Sequence, residues 1–228
     1  GEFTSRDISI NPFWRSSVTW ANFDPAIATH VIADELRYFG LRQRQFDWKV
    51  FGHDNPPYLC DHLTAAGFGV GPEMAFMVLD TWSSAADIWR APVQKEVRKV
   101  DSYATLNDYV AVEEAVWDEH DHQRWLALLH NAPEYISLYV AYVDGEPASC
   151  ARASFHPHSA FCGLWGGATR AEFRSQGLYT TLVAARIHEA MSRGVRFITI
   201  EAAASSRPIL ERRGFEVLDT VYLCRPSG

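Results

Sequence analysis

Cysteine is scarce in this chain of 228 residues, and the little there is carries no recognisable chemistry. Cys60, Cys150, Cys162 and Cys224 lie far apart with no C-x-x-C spacing, which argues against a zinc site and against a disulfide framework. A reduced, cytoplasmic chain is the plain expectation. Positive charge is not in excess either: the formal net charge is -7 and the pI about 5.7. Neither nucleic acid nor an anionic membrane is therefore the expected partner. No apolar run approaches the roughly 20 residues that a membrane-spanning helix needs, and no low-complexity segment intrudes. What is present is the apolar and charged balance of a soluble globular protein, enough to bury a real core in one large domain or two small ones.

The most informative segment is Arg174-Ser175-Gln176-Gly177-Leu178-Tyr179. It lies between the β-rich run Leu164 to Thr169 and an amphipathic stretch from Leu178 to Arg193, and so reads as strand, tight loop and helix N-terminus. Unpaired N–H groups at a helix start, backed by the positive end of the helix dipole, favour an anion, and a glycine lets that anion reach the backbone. A diphosphate suits such a place. Downstream, the helix ends at Gly194, Val195 to Ile200 is β-rich, Ser206-Arg207-Pro208 opens a short helix, and Gly214-Phe215 closes it before Glu216 to Cys224. Upstream, Val97 to Asp101 reads as a first strand, and Leu106 to Trp117 and Gln123 to His130 read as helices with apolar faces. Ile136 to Val143 and Pro147 to Phe155 flank the hairpin turn Asp144-Gly145, and Phe161 to Thr169 continues the sheet.

The pattern Arg-x-x-Gly-x-(small or Tyr), set in this order of elements, resembles the pyrophosphate-binding loop of the GNAT superfamily of acyl-CoA-dependent N-acyltransferases. The resemblance covers about residues 96 to 228. It implies an α/β fold, a GNAT-like mixed sheet with flanking helices, in which the strand before the loop and the strand after its helix diverge into a V-shaped slot. Carried over by position, backbone groups of Gly167, Ala168 and Thr169 would contact pantetheine. N–H groups of Arg174, Ser175, Gln176, Gly177, Leu178 and Tyr179, with Thr180 nearby, would hold the pyrophosphate. The Arg174 guanidinium can support the turn or reach a phosphate.

The first part of the chain echoes the last. A shift of 147 positions lays Leu63-Thr64-Ala65-Ala66-Gly67-Phe68 on Leu210-Glu211-Arg212-Arg213-Gly214-Phe215, and Trp48 to Phe51 on Val195 to Ile198. Both copies read strand, helix, Gly-Phe, strand, the later strand of the first copy being Met74 to Leu79, and a helix from Pro25 to Phe39 precedes the first. The positions matching the loop are Ile27 to Ile32, with no glycine and no arginine. Residues 1–95 therefore read as a degenerate GNAT-like half-domain in tandem with a complete catalytic domain at 96–228. The join falls between Thr81 and Lys95.

The resemblance implies acetyl-CoA as co-substrate, no metal, and direct attack by a primary amine in a ternary complex. Two family positions depart from the usual pattern. The tyrosine that commonly protonates the departing thiolate is Leu210 here, and an asparagine seven residues earlier is Ala203. The acid's task must then pass to water or to another side chain such as Tyr179 or Tyr222. Glu201, at the end of the strand Val195 to Ile200, is the candidate base, with His120 and His122 behind it; His156 and His158 read as turn residues. Between Asp101 and Asp121 stand seven carboxylates and no lysine or arginine, whereas Arg170 to Arg213 holds eight arginines against four carboxylates. That asymmetry suits a small cationic amine acceptor beside an anionic donor. The alternative is a non-catalytic acyl-CoA-binding or interaction module, and a homodimer is left open.

Overall fold

The structure, a computed structural model, describes residues 3–8, 15–117 and 122–227. Contacts divide it into two compact units. The first holds the chain up to Phe76, Ala202–Pro208 and the segment from Val217 onward; the second holds Met77–Glu201 and Ile209–Glu216. The chain thus passes between the units several times.

In the first unit β1 (Thr4–Asp7) pairs antiparallel with β2 (Ser16–Ala21), which runs parallel to β3 (Phe46–Phe51). Between them α1 (Ala28–Gly40) follows a turn that the Asp24 carboxylate caps by accepting from the Ala26 N–H at 2.8 Å. Val31, Ile32 and Phe39 of α1 are buried with Trp48 and Phe68, and Phe39 stacks on Phe46 at 4.1 Å. Then come α2 (Leu59–Ala65) and the short β4 (Phe68–Val70). The sequence reading did not foresee β1, β2 or β4; strand Met74 to Leu79 is there, but β4 comes before it.

The second unit contains most of β5 (Met74–Asp80), then β6 (Val97–Lys99), α3 (Tyr103–Trp117), α4 (His122–Asn131), β7 (Ile136–Val143), β8 (Glu146–Phe155), β9 (Phe161–Thr169), α5 (Leu178–Ser192) and β10 (Phe197–Ala202). Its strands lie in the order β5, β10, β9, β8, β7, β6. Asp144 and Gly145 join β7 to β8 with φ of 51° and 82°, the paired left-handed residues that match the twist of a two-residue hairpin. Helices cover both faces. Ala151 of β8 packs with Leu178 and Leu182 of α5, while its neighbour Arg152 extends to Glu113 of α3, and successive strand residues point to opposite faces.

After α6 (Arg207–Glu211) the chain ends in β11 (Glu216–Pro226), which pairs antiparallel with β3 and β4 in the first unit. The echo in the sequence has a structural counterpart. Each short helix is closed by a glycine in the left-handed region, Gly67 at φ 89° and Gly214 at φ 88°. The expected join is structured within the second unit: Ala86 and Trp89 are buried, and the Trp89 indole donates to the Arg213 carbonyl at 2.8 Å.

Candidate active site

The loop before α5 has the shape that its residues suggest. Ser175 and Gly177 take φ of 61° and 79°, so the chain turns sharply and Gly177 becomes the N-cap of α5. No side chain caps this end. The first-turn N–H groups have no intrahelical acceptor, which leaves the positive end of the helix dipole facing outward. Residues Arg174 to Gly177 are exposed. Arg174 takes the supporting role: its Nε donates to the Thr169 carbonyl at 3.3 Å and ties the loop to the strand before it. A Cβ built on Gly177 would meet a single neighbour within 4 Å, Cε of Lys95 at 4.0 Å. Gly177, Thr180, Thr181 and Ala184 line a cavity of about 310 Å³ together with Trp89, Lys95 and Arg213. Sequence reading missed Lys95, because it lies over 80 positions from the loop and only the fold brings it there.

The strand before the loop outlasts its ladder. β9 and β10 pair in parallel from Phe161 with Phe197 to Leu164 with Ile200, after which β9 runs on to Thr169. On its other edge β9 slips against β8: Arg152 faces Trp165, but Cys150 faces Ala168. β9 therefore carries one extra residue there, a bulge in which Gly166 takes φ 57°. Beyond it Gly167 is exposed, Ser149 donates to the Ala168 carbonyl at 2.6 Å, and Thr169 Oγ1 lies 2.8 Å from Ser149 Oγ. Gly167, Ala168 and Thr169 thus lie between the bulge and the loop that leads to α5.

The acid and base candidates occupy different settings. Glu201 is half-buried on β10, one residue past the last pair of the ladder. The Tyr179 ring lies against Gly167 with its hydroxyl oxygen buried. Tyr222 belongs to the first unit and donates to Glu73 at 2.5 Å, and that hydrogen bond raises its pKa. Leu210 is fully buried and apolar, so it has no proton to give. His122 sits beside Tyr103, with ring centroids 5.0 Å apart, while His120 lies outside the described residues. His156 and His158 are in the turn between β8 and β9, where the Ser159 N–H donates to the His156 carbonyl.

Much of the charge read from the sequence is structural. Glu113 is buried, where it accepts from Tyr109 at 3.0 Å and from the Trp125 indole at 2.6 Å; Asp108 accepts from Tyr142 at 2.7 Å. Asp118, Glu119 and Asp121 lie outside the described residues. Among the arginines, Arg186 is buried, Arg193 pairs with Glu189 and Arg196 with Asp80. Arg174 and Arg213, with Lys95, are the cations beside the α5 N-terminus. Left-handed Gly177, open space before it and this local charge suit a diphosphate. Among the described residues no group of three or more His, Cys, Asp or Glu could hold a metal ion, and no helix is long and apolar enough to cross a membrane.

Comparison with known structures gives the fold. A GCN5-related N-acetyltransferase from Kribbella flavida superposes with a TM-score of 0.68 at 18% identity, covering 96% of this chain and 85% of that one. A GCN5-related N-acetyltransferase from Sphaerobacter thermophilus gives 0.58 at 16% identity, covering 98% and 77%. A tandem GNAT protein from the clavulanic acid biosynthesis pathway gives 0.57 at 15% identity, covering 96% and 77%. No curated protein sequence matches the chain. The model of the acetyltransferase (GNAT) family matches residues 102–215, half of the chain, and runs from α3 through the bulged strand, the Gly177 loop and α6. On that match the chain belongs to the acetyltransferase (GNAT) family and is an acyltransferase.

Proposed function

We propose that the protein is an acetyl-CoA-dependent N-acetyltransferase that acts on a primary amine of a small cationic acceptor. The observation that carries this reading is the uncapped N-terminus of α5, opened by left-handed Gly177, next to the end of β9 that has left its ladder with β10. Bound acetyl-CoA would supply the acetyl group as an activated thioester. The N–H groups from Arg174 to Tyr179, with Thr180, would hold the diphosphate, and the backbone of Gly167, Ala168 and Thr169 would align the pantetheine arm. A backbone N–H there would donate to the thioester carbonyl. Glu201 would take the proton of the acceptor ammonium, directly or through water, and Tyr179 would return one to the departing thiolate. The acceptor then attacks directly in a ternary complex, with no group of the protein acylated on the way.

In this reading residues 1–95 are a degenerate GNAT-like half, 96–228 are the catalytic one, and the enzyme works in the cytoplasm, as a monomer or a homodimer. The test is incubation of acetyl-CoA with a panel of amines, followed by product mass. Amines with a second positive charge should be acetylated fastest, and turnover should fall as salt rises over a Debye length of about 8 Å at physiological strength. Preference for anionic acceptors would overturn the acceptor class. Tight CoA binding with no product from any amine would favour the non-catalytic module, the reading that buried, apolar Leu210 and exposed Ala203 support.

A further inference from the structure

Two arginines approach the bulge of β9 from opposite faces of the sheet. From the α5 side, Arg186 is almost wholly buried; its Nη1 donates to the carbonyls of Arg152 at 3.0 Å and Trp165 at 3.3 Å, the pair at which the β8–β9 register slips. Its Nε donates to the Leu182 carbonyl at 2.9 Å, one turn back on its own helix. From the other side the guanidinium of Arg152 lies against Gly166. A Cβ built on Gly166 would come within 2.1 Å of Arg152 Nη1, so only a glycine lets the cation rest there.

Behind Arg152 stands a buried anchor. Its Nη1 is 3.6 Å from Glu113, and its guanidinium lies 5.2 Å from the Trp125 ring centroid. The Glu113 carboxylate is fixed in turn by Tyr109 and Trp125. Thus α3 and α4 on one face and α5 on the other meet through these side chains at one irregular point of one strand.

Arg186 is a costly way to fill a core. Burial pushes its pKa down to about 10, its charge is served by backbone carbonyls, and its buried Nη2 has no hydrogen-bond partner among the described residues. An apolar side chain of similar length would fill the same space without desolvating a cation, and such exchanges are often neutral or stabilising. Stability alone does not account for this residue. What it does hold is the geometry of the slip, and the slip decides where the N–H groups of Gly167 and Thr169 point, since Ala168 pairs with Cys150 and turns its own N–H towards β8.

We propose that Arg186 and Arg152 are positioning residues for acyl transfer, clamping the Gly166 bulge so that the following backbone N–H groups are aimed at the thioester carbonyl. The inference rests on the acetyl-CoA reading above. It assigns the two side chains no contact with the reacting atoms. Their part is to fix a backbone donor before the reaction begins, which is where preorganised electrostatic stabilisation gains its effect.

The probe is acetyl-CoA labelled with ¹³C at the thioester carbonyl, bound without acceptor and followed by isotope-edited infrared spectroscopy beside calorimetry. In the wild type the carbonyl stretch should move to lower wavenumber on binding. Arg186→Met should still bind CoA, losing less than about tenfold in affinity, because the Gly177 loop that holds the diphosphate is untouched and only the pantetheine contacts beyond the bulge are disturbed, yet return the stretch towards its free value. Arg186→Lys, which can reach one of the two carbonyls, should keep part of the shift, and it decides the matter if the methionine variant does not fold. An unchanged shift in either folded variant, or no shift in a wild type that binds acetyl-CoA, would overturn the clamp. Absence of any CoA binding by the wild type would instead remove the acetyl-CoA reading itself.

Discussion

Gly167 and Tyr179 meet across the loop: a Cβ on Gly167 would lie 3.5 Å from Cε2 of Tyr179, so the first turn of α5 rests on the end of β9. Arg174, bonded to the Thr169 carbonyl, closes the same loop a second time. The turn is therefore tied to the strand before it at two points, an arrangement suited to presenting N–H groups to an anion.

This makes Gly177 the first residue to change. Gly177→Glu would set a side chain and a negative charge where the diphosphate is to sit, and CoA binding should be lost with the fold intact. The left-handed φ of 79° means that any side chain brings strain, so Gly177→Ala is the necessary control. Strain of about 1–2 kcal/mol should lower Tm by roughly 2–8 °C in both variants, and the alanine should retain measurable CoA affinity. Calorimetry separates the two. Affinity unchanged in Gly177→Glu would remove the basis of the acetyl-CoA reading.

Glu201→Gln should leave CoA affinity nearly unchanged and lower turnover by about 10²- to 10⁴-fold, the usual effect of losing a positioned proton acceptor. The rate loss should shrink as pH rises and the amine deprotonates in solution. Normal turnover in the variant would return Glu201 to a structural role.

The elements around the site were legible because each carries its own local signal. Asp144-Gly145 marks its hairpin, β7 and β9 span the residues that their patterning gives, and Gly214 ends α6 through its left-handed backbone. What stayed hidden is the part made by distant pairs. Nothing in the local pattern joins Arg152 to Glu113, Lys95 to Gly177 or Trp89 to Arg213, and the bulge at Gly166 exists only as a slip between two strands. The acidic stretch misled in part for the same reason, since charge counting cannot tell a buried, triply engaged Glu113 from a solvated carboxylate.

Glu189 should make stability depend on acid. Burial raises the pKa of its carboxyl, but hydrogen bonds from Lys99, Tyr139, Ser137 and Arg193 outweigh burial and leave the pKa depressed. A carboxylate depressed in the folded state contributes fully above its unfolded pKa, about 4.3, and loses that contribution as pH falls through the folded value. Glu189→Gln should therefore cost about 1–2 kcal/mol at pH 7, allowing for the partly exposed lysine. The difference from wild type should narrow below about pH 4. Thermal denaturation of both proteins across that range is the measurement, and a gap that stays constant with pH would contradict the assignment.

Each chain should bind one CoA, in the second unit, because the two helix starts that correspond in the sequence echo are built differently. α5 begins at an exposed, left-handed glycine with no side-chain cap. α1 begins after Pro25 and a turn already capped by the Asp24 carboxylate, whose charge would repel a phosphate. Its first turns include Ala28, Val31 and Ile32, all buried, and the segment Ile27 to Ile32 contains neither the glycine that admits a phosphate nor an arginine to neutralise it. A helix dipole is common to both ends, so the dipole alone does not make a site; access and local charge decide. Calorimetric titration should give a stoichiometry of one per chain, and Gly177→Glu should abolish it entirely rather than halve it. A stoichiometry of two, or a residual site in that variant, would mean that the first unit holds a phosphate by some arrangement other than its helix start.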